Sequence, residues 1–269
     1  MKIKFSLFAI IISTTVAFAQ NNQVAYKQKS EELRKKIWQS NNDIFSSNNI
    51  PEEYKTESAV VLARSFEMQR ESSSKFKFMV ITATSISNTN KTSIYREKVK
   101  INDKAALETF SKLEYEKVIN KTQSVFFMSI KNKTEVFIGV KIIKPDGNEV
   151  LINTDEEVLL STNSKNQSAK LAIPGLQVGD IIDYYICTIK NIEGTQEESD
   201  NKYIFFLVDE YPVLKYNYSF QYNKKVNVVT LSANGAANLT ETTNNNGDKI
   251  FSIKGLNMPK FKEESWSSP

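Results

Sequence analysis

From Ser58 onward the chain alternates apolar and polar positions in short runs rich in Val, Ile, Phe, Tyr and Thr, with polar turns between them. A period of two sends successive side chains to opposite faces, so each run predicts a strand with one dry and one wet face. Strands are expected near 58–67, 75–87, 92–101, 134–143, 148–153, 168–173, 180–191, 202–208, 213–222, 225–232 and 249–254. Short strands at that spacing predict a mainly β protein, an antiparallel two-sheet β-sandwich. Lys75, Lys77, Lys98 and Lys100 alternate with apolar neighbours and are expected on the wet faces.

A helical period governs the segment before the strands. Tyr26, Leu33, Ile37 and Trp38 share one face of 24–39, while Lys27, Lys29, Lys35 and Lys36 lie mostly outside it. This predicts a short N-terminal helix, expected to pack on the main body. The Asn- and Ser-rich stretch from Ser40 to Pro51 reads as a loop. Between Asp103 and Lys117, Ala105, Ala106, Leu107 and Phe110 suggest a helical turn, and Leu113, Tyr115 and Val118 alternate like a strand behind it.

Three turns punctuate the strands. Pro145-Asp146-Gly147 joins two apolar runs, with proline presetting the first turn angle and glycine accepting positive φ. Pro174-Gly175 and Gly179-Asp180 bracket Leu176-Gln177-Val178 as a compact loop before the strand that carries Cys187. Asn244-Asn245-Asn246-Gly247-Asp248 reads as a hairpin tip between Leu239 and Phe251. Alanine at Gly147, Gly175 or Gly179 is expected to destabilise its turn, because a Cβ at positive φ is strained. No repeat of fixed period is visible.

The first residues change the picture of where the chain works. Lys2 and Lys4 precede an apolar run from Phe5 to Val16, and Ala17-Phe18-Ala19 follows ahead of Gln20. This is the pattern of a secretory signal peptide cut near Ala19, too short to span a bilayer, and it predicts an exported, periplasmic or secreted protein. The short apolar run argues against a membrane-spanning protein, and no cysteine follows the cleavage site to accept a lipid anchor, so a soluble exported protein is expected. The expected division is 1–19 signal peptide, 20–56 helix and linker, and 57–269 β-sandwich domain.

Removing Lys2 and Lys4 takes the balance from 35 basic against 31 acidic residues to 33 against 31, with no clustered basic face for nucleic acid. The chain has no histidine, which excludes Ser-His-Asp and Cys-His relays and histidine metal sites within it. Its one cysteine, Cys187, forbids an internal disulfide and sits in the run Ile181 to Ile189. It reads as a small core residue rather than a nucleophile.

The ordered motifs now suggest a family. Lys144-Pro145-Asp146-Gly147 with its flanking strands, then Ala172-Ile173-Pro174-Gly175-Leu176-Gln177-Val178-Gly179-Asp180-Ile181-Ile182-Asp183-Tyr184, resembles domain of unknown function 3857. Phe205-Phe206, Tyr211-Pro212-Val213 and the exit Leu256-Asn257-Met258-Pro259 also fit, and the resemblance extends over roughly Glu57 to Pro269. It implies a β-sandwich placed ahead of a transglutaminase-like, papain-fold domain in exported bacterial proteins. The sequence ends at Pro269, near the expected hand-over to that next domain. No catalytic, cofactor-binding or metal residue is carried over from the family.

The function this favours is an exported non-catalytic module, accessory to or positioning a partner for a transglutaminase-like or peptidase-like protein, or simply spacing it. The alternative is a carbohydrate-binding sandwich in the bacterial envelope, using Tyr184, Tyr185, Tyr203, Tyr211, Tyr216, Tyr218, Tyr222 and Trp266 as sugar platforms, although strand packing accounts for tyrosines as well. A hydrolase built on two acids would need no histidine, and Asp146, Asp180, Asp183 and Glu193 are its candidates. Turns explain Asp146 and Asp180. Asp183 interrupts an apolar strand and is expected to hydrogen-bond a neighbouring backbone group or a lysine. No loop has the acid spacing of a calcium site, and no cofactor is expected. The sequons at Asn120 and Asn132 are incidental in a bacterial chain.

Overall fold

The computed structural model describes residues 24–40, 43–78, 83–118, 121–125, 128–160, 166–194, 203–224 and 226–261. Residues 1–19, expected to be a signal peptide, and Trp266 lie outside them. Contacts divide the chain at residue 42. In the N-terminal unit, helix α1 occupies 24–39, the span that the apolar period predicted. Among the described residues no helix is long and apolar enough to cross a membrane.

The second unit is mainly β. Its strands are β1 (Ala59–Phe78), β2 (Ala83–Ile101), β3 (Lys112–Val118), β4 (Lys121–Val125), β5 (Met128–Ile143), β6 (Glu149–Leu151), β7 (Val158–Leu159), β8 (Asn166–Ala172), β9 (Ile181–Gly194), β10 (Val213–Tyr222), β11 (Thr240–Thr243) and β12 (Lys249–Met258), with helix α2 (Lys104–Phe110) between β2 and β3. One large sheet runs β11-β12-β10-β1-β2-β9-β5-β4, with β6 attached to β5; β3, β8 and β7 make a smaller one. The large sheet is mixed, because β1 pairs with β10 in parallel while its other neighbour β2 is antiparallel. The expectation of wholly antiparallel sheets is corrected there. A parallel pair needs a long connection, and the chain between β1 and β10 supplies it by building the other half of the sheet first.

Alternation settles which face is dry. In β10, Tyr216, Tyr218, Phe220 and Tyr222 are buried and the intervening Lys215, Asn217, Ser219 and Gln221 are less so. Each buried ring contributes about 1.5–3 kcal/mol. These rings join Met68, Val99, Ile138, Val140, Ile182, Phe251 and Ile253 in the main core. Tyr115 of β3, Ala169 and Leu171 of β8, and Ala106 of α2 belong to that same cluster, so the small sheet and α2 contribute side chains to the core. Helix α2 starts where Asp103 Oδ1 accepts the Ala106 N–H at 2.9 Å, a side-chain N-cap.

The reverse face is covered as well. Val60, Leu62, Ile143, Ile181 and Leu214 form a second cluster under Ile50 and Tyr54 from the segment that precedes β1. A bulge between Val61 and Ala63 lets both Val61 and Leu62 be buried.

Several expected boundaries moved. The predicted strand 58–67 falls in the longer β1, and the predicted 75–87 is divided between the end of β1 at Phe78 and the start of β2 at Ala83; Ser72, Ser73 and Ser74 stay in the ladder opposite Thr89, Asn88 and Ser87. Polar residues without Gly or Pro did not break the strand. Strands β4 and β7 were not predicted, and β11 only as the first arm of the hairpin at Asn244 to Asp248. The strands expected at 202–208 and 225–232 are absent: 203–212 and 226–239 are irregular. There Phe205 packs on Phe66, Phe220 and Tyr218 at centroid distances of 5.1, 5.0 and 5.7 Å. Its segment lies across the sheet face instead of joining an edge. The α2-to-β3 transition and the hairpin at Asn244 to Asp248 formed as expected, the latter with Gly247 at φ 82°.

Candidate functional site

The motifs that carry the family resemblance meet at one corner. Gly147, Gly175 and Gly179 have φ of 88°, 80° and 95°, the left-handed region that each turn was expected to need. Lys144, just before the first turn, donates from Nζ to Asp180 Oδ2 at 2.7 Å and to the Gly175 carbonyl at 2.8 Å. Asp180 is buried and also accepts the Gln177 N–H at 2.8 Å. Gly179 N–H donates to the Ile101 carbonyl at 2.8 Å and Ile101 N–H to that of Asp180 at 2.9 Å, while Lys100 caps the Gly179 carbonyl. One lysine and one aspartate thus lock two loops to each other and to β2. Asp146 stays exposed in its turn, bonded to Asn148.

Asp183 is buried on the reverse face, and its partner is Arg96. The guanidinium grips it twice, at 3.0 and 2.8 Å, with Lys141 Nζ at 3.9 Å. An expected lysine is present as the Lys141 ion pair, but the two close hydrogen bonds come from an arginine on the adjacent strand that was not foreseen, a geometry that only a planar fork supplies. Lys98 also departs from expectation: it is 4% exposed, not on a wet face, and donates to the Phe45 carbonyl at 2.8 Å. Burial lowers its pKa, partly opposed by Asp183. The Phe45 ring covers Arg96 at 4.0 Å. The segment before β1, read as a plain loop, is what dries this face. The side chains of Lys75 and Lys77 lie outside the described ones.

A separate ionic group occupies the core face. Arg64 Nε donates to Glu97 Oε1 at 2.7 Å, its Nη2 also meets Asp209, and the Tyr184 hydroxyl donates to Glu97. Burial alone would lower the Arg64 pKa, but Glu97, Tyr95 and Asp209 raise it instead. Burial, then Glu97, raises the Tyr184 phenol well above its ordinary value. Asp209 helps hold 203–212 to the sheet, together with the Phe205 ring and the Val61 N–H on the Pro212 carbonyl. Sequence reasoning missed this group, since Arg64 and Glu97 lie far apart in the chain and only the register of β1 on β2 pairs them.

The acids considered for hydrolysis are thus dispersed. Asp146 is in an exposed turn, Asp180 is in the Lys144 corner and Asp183 lies opposite Lys98 on the reverse face; Glu97, which the sequence did not single out, pairs in register with Tyr184 and so points to the other face. Glu193 lies near the far end of β9, opposite Asn88. Among the described residues no three potential ligands gather for a metal. Cys187 is fully buried. Of the tyrosines read as sugar platforms, Tyr184, Tyr185, Tyr216, Tyr218 and Tyr222 are buried and Tyr203 alone is classed as exposed.

Several large apolar side chains are left outward. Tyr203 to Val208 presents Ile204 and Phe206, the latter 76% exposed, and Val229 and Leu231 stand at 89% and 88%. On the reverse face a cleft of about 420 Å³ is lined by Ile50, Pro51, Leu62, Leu214, Lys215 and Leu256, among others.

The family model described as Domain of Unknown Function with solved-structure structure (DUF3857) matches residues 87–262. No curated protein matches the chain. Eleven solved chains do. One, from Parabacteroides distasonis ATCC 8503 and described as a proposed protease, is 11% identical with a TM-score of 0.52 over 78% of this chain and 37% of that one. At that identity the likeness is one of fold, and this chain spans little more than a third of the solved chain's length. The family match takes in the Lys144–Asp180 corner, the Asp183 strand and the irregular aromatic segment, and with most of the chain inside it the protein belongs to the DUF3857 family.

Proposed function

We propose that the protein is an exported, non-catalytic β-sandwich module that binds and positions a polypeptide partner for a transglutaminase-like or peptidase-like domain. The small sheet and α2 would form the second layer of the sandwich. Export rests on the signal-peptide pattern of residues 1–19, with the mature chain working in the periplasm or outside the cell. The observation that carries the binding role is the contrast between spent charge and unspent apolar surface. The buried acids Glu97, Asp180 and Asp183 each hold a cation of this chain, while Phe206, Val229, Leu231 and Leu256 stand exposed. Large exposed apolar side chains mark contact surfaces when they collect in one segment, as in Tyr203 to Val208. The solved chain that shares the fold is longer and described as a proposed protease, which favours a module working beside such a domain.

The test pairs activity with recovery. The purified chain should show no amine-incorporation or peptidase turnover above buffer. A Phe206→Ser, Leu231→Ser double variant should keep its melting temperature and lose most of a partner recovered by the wild type from the cell envelope. Turnover by the chain alone, or recovery unaffected by the double variant, would refute this reading.

A further inference from the structure

The outer edge of β12 carries an unfinished ladder. Strand β11 covers Lys249 to Ser252, and β12 runs on to Met258. The hairpin closes with Asn244 N–H on the Asp248 carbonyl at 3.0 Å. By the two-residue period of an antiparallel ladder, the backbone groups of Ile250, Ser252, Lys254 and Leu256 then point away from β10. Thr242 and Thr240 meet the first two. Among the described residues no strand meets Lys254 or Leu256.

Side chains beside that edge add a pocket and a charge. Leu256 is 69% exposed and lines the 420 Å³ cleft with Leu62, Leu214 and Ile50. Lys215 is its cross-strand neighbour. Neither Lys215 nor Lys254 has an ion-pair partner among the described residues. Asn257 at φ 52° and Pro259 end the strand, which confines the open edge to a few residues.

We propose that this edge accepts an extended, acidic segment of another polypeptide as an added strand. Its backbone pairs with Lys254 and Leu256, an apolar side chain enters the cleft, and a carboxylate meets Lys254 or Lys215. The proposal rests on the reading of the protein as a partner-binding module. Free N–H and C=O groups repeated along an edge match an extended peptide backbone. A second copy of the chain fits poorly, because self-pairing sets two lysine-bearing edges side by side.

The probe is a fluorescent heptapeptide of alternating Val and Thr flanked by Glu, titrated into the mature chain by anisotropy, with amide exchange read at Lys254 and Leu256. Binding with protection at both amides is expected, with at least a tenfold loss for a peptide N-methylated at alternate residues. Leu256→Pro removes an outward N–H without touching the bonds to β10 and should abolish binding. Lys254→Glu, which leaves the fold intact, should switch preference to a Lys-flanked peptide. Equal binding of the N-methylated peptide, or no protection at Lys254 and Leu256, overturns the proposal. An envelope partner whose capture ignores Leu256→Pro also removes the edge site while leaving the module reading in place; edge-dependent peptide binding with no envelope partner does the reverse.

Discussion

Two charged side chains on neighbouring strands hold each other under Phe45, so neither can be removed alone. Asp183→Ala leaves the Arg96 guanidinium buried without its carboxylate, and a loss of about 3–5 kcal/mol is expected from the urea midpoint. A change under 1 kcal/mol would mean that Arg96 finds another partner. On the core face the sign of the pH dependence follows from Tyr184, whose pKa burial and Glu97 raise. A group raised in the folded state contributes stability that is complete below its unfolded pKa, here the ordinary value of 10.0, and is lost as pH climbs toward the folded value. Stability should therefore fall above pH 10, and part of the tyrosinate absorbance should appear only with unfolding. A single smooth titration at the ordinary value would contradict this. At this scale the sequence told that Asp183 needed a partner, because a carboxylate interrupted an apolar run. It did not tell which, because Arg96 is distant in the chain and becomes a neighbour only through strand register.

At the scale of elements, glycines separate turn chemistry from packing. Gly147 and Gly175 have positive φ and open space where a Cβ would go, so alanine there costs only backbone strain, about 1 kcal/mol. Gly139 is in a strand, and a Cβ would sit 2.2 Å from the Tyr185 ring, which crosses over it from β9. Gly139→Ala should cost more, about 2–3 kcal/mol, because the ring is fully buried and has nowhere to move. Thermal melts of the three variants decide it; a Gly139→Ala cost equal to that at Gly147 and Gly175 would contradict the packing argument. Lys144→Met tests the corner where the motifs meet. It strips Asp180 of its cation and should lower stability by about 2–4 kcal/mol, with the Gly175 to Asp180 loop losing amide protection first. Turn glycines were legible because turn chemistry is local. Gly139 was not, since its reason lies on another strand. The missing strands at 202–208 and 225–232 failed for a related cause: their alternation was real, but Phe205, Val226 and Val228 spend it packing on a sheet face.

Across the whole molecule, one mixed sheet is dry on both faces near β1, and this is why Lys98, outward by pattern, is inward in fact. Period two reveals that faces differ, and it is silent on what later covers the polar one. The fold was legible as mainly β because alternation and turns recur along the chain; the parallel β1–β10 pair was not, because direction leaves no mark on alternation. The functional account rests on exposed apolar groups standing apart from the buried acids Glu97, Asp180 and Asp183, each of which holds a cation of this chain. The most direct measurement places a photoreactive amino acid at Phe206, at Val229 and, as a control, at the exposed polar Thr242, then irradiates cells and identifies adducts by mass. The account predicts one polypeptide partner, or a companion domain of a longer chain, attached at Phe206 and Val229 and absent at Thr242. Adducts equally frequent at all three positions, or none at the apolar two, would contradict it.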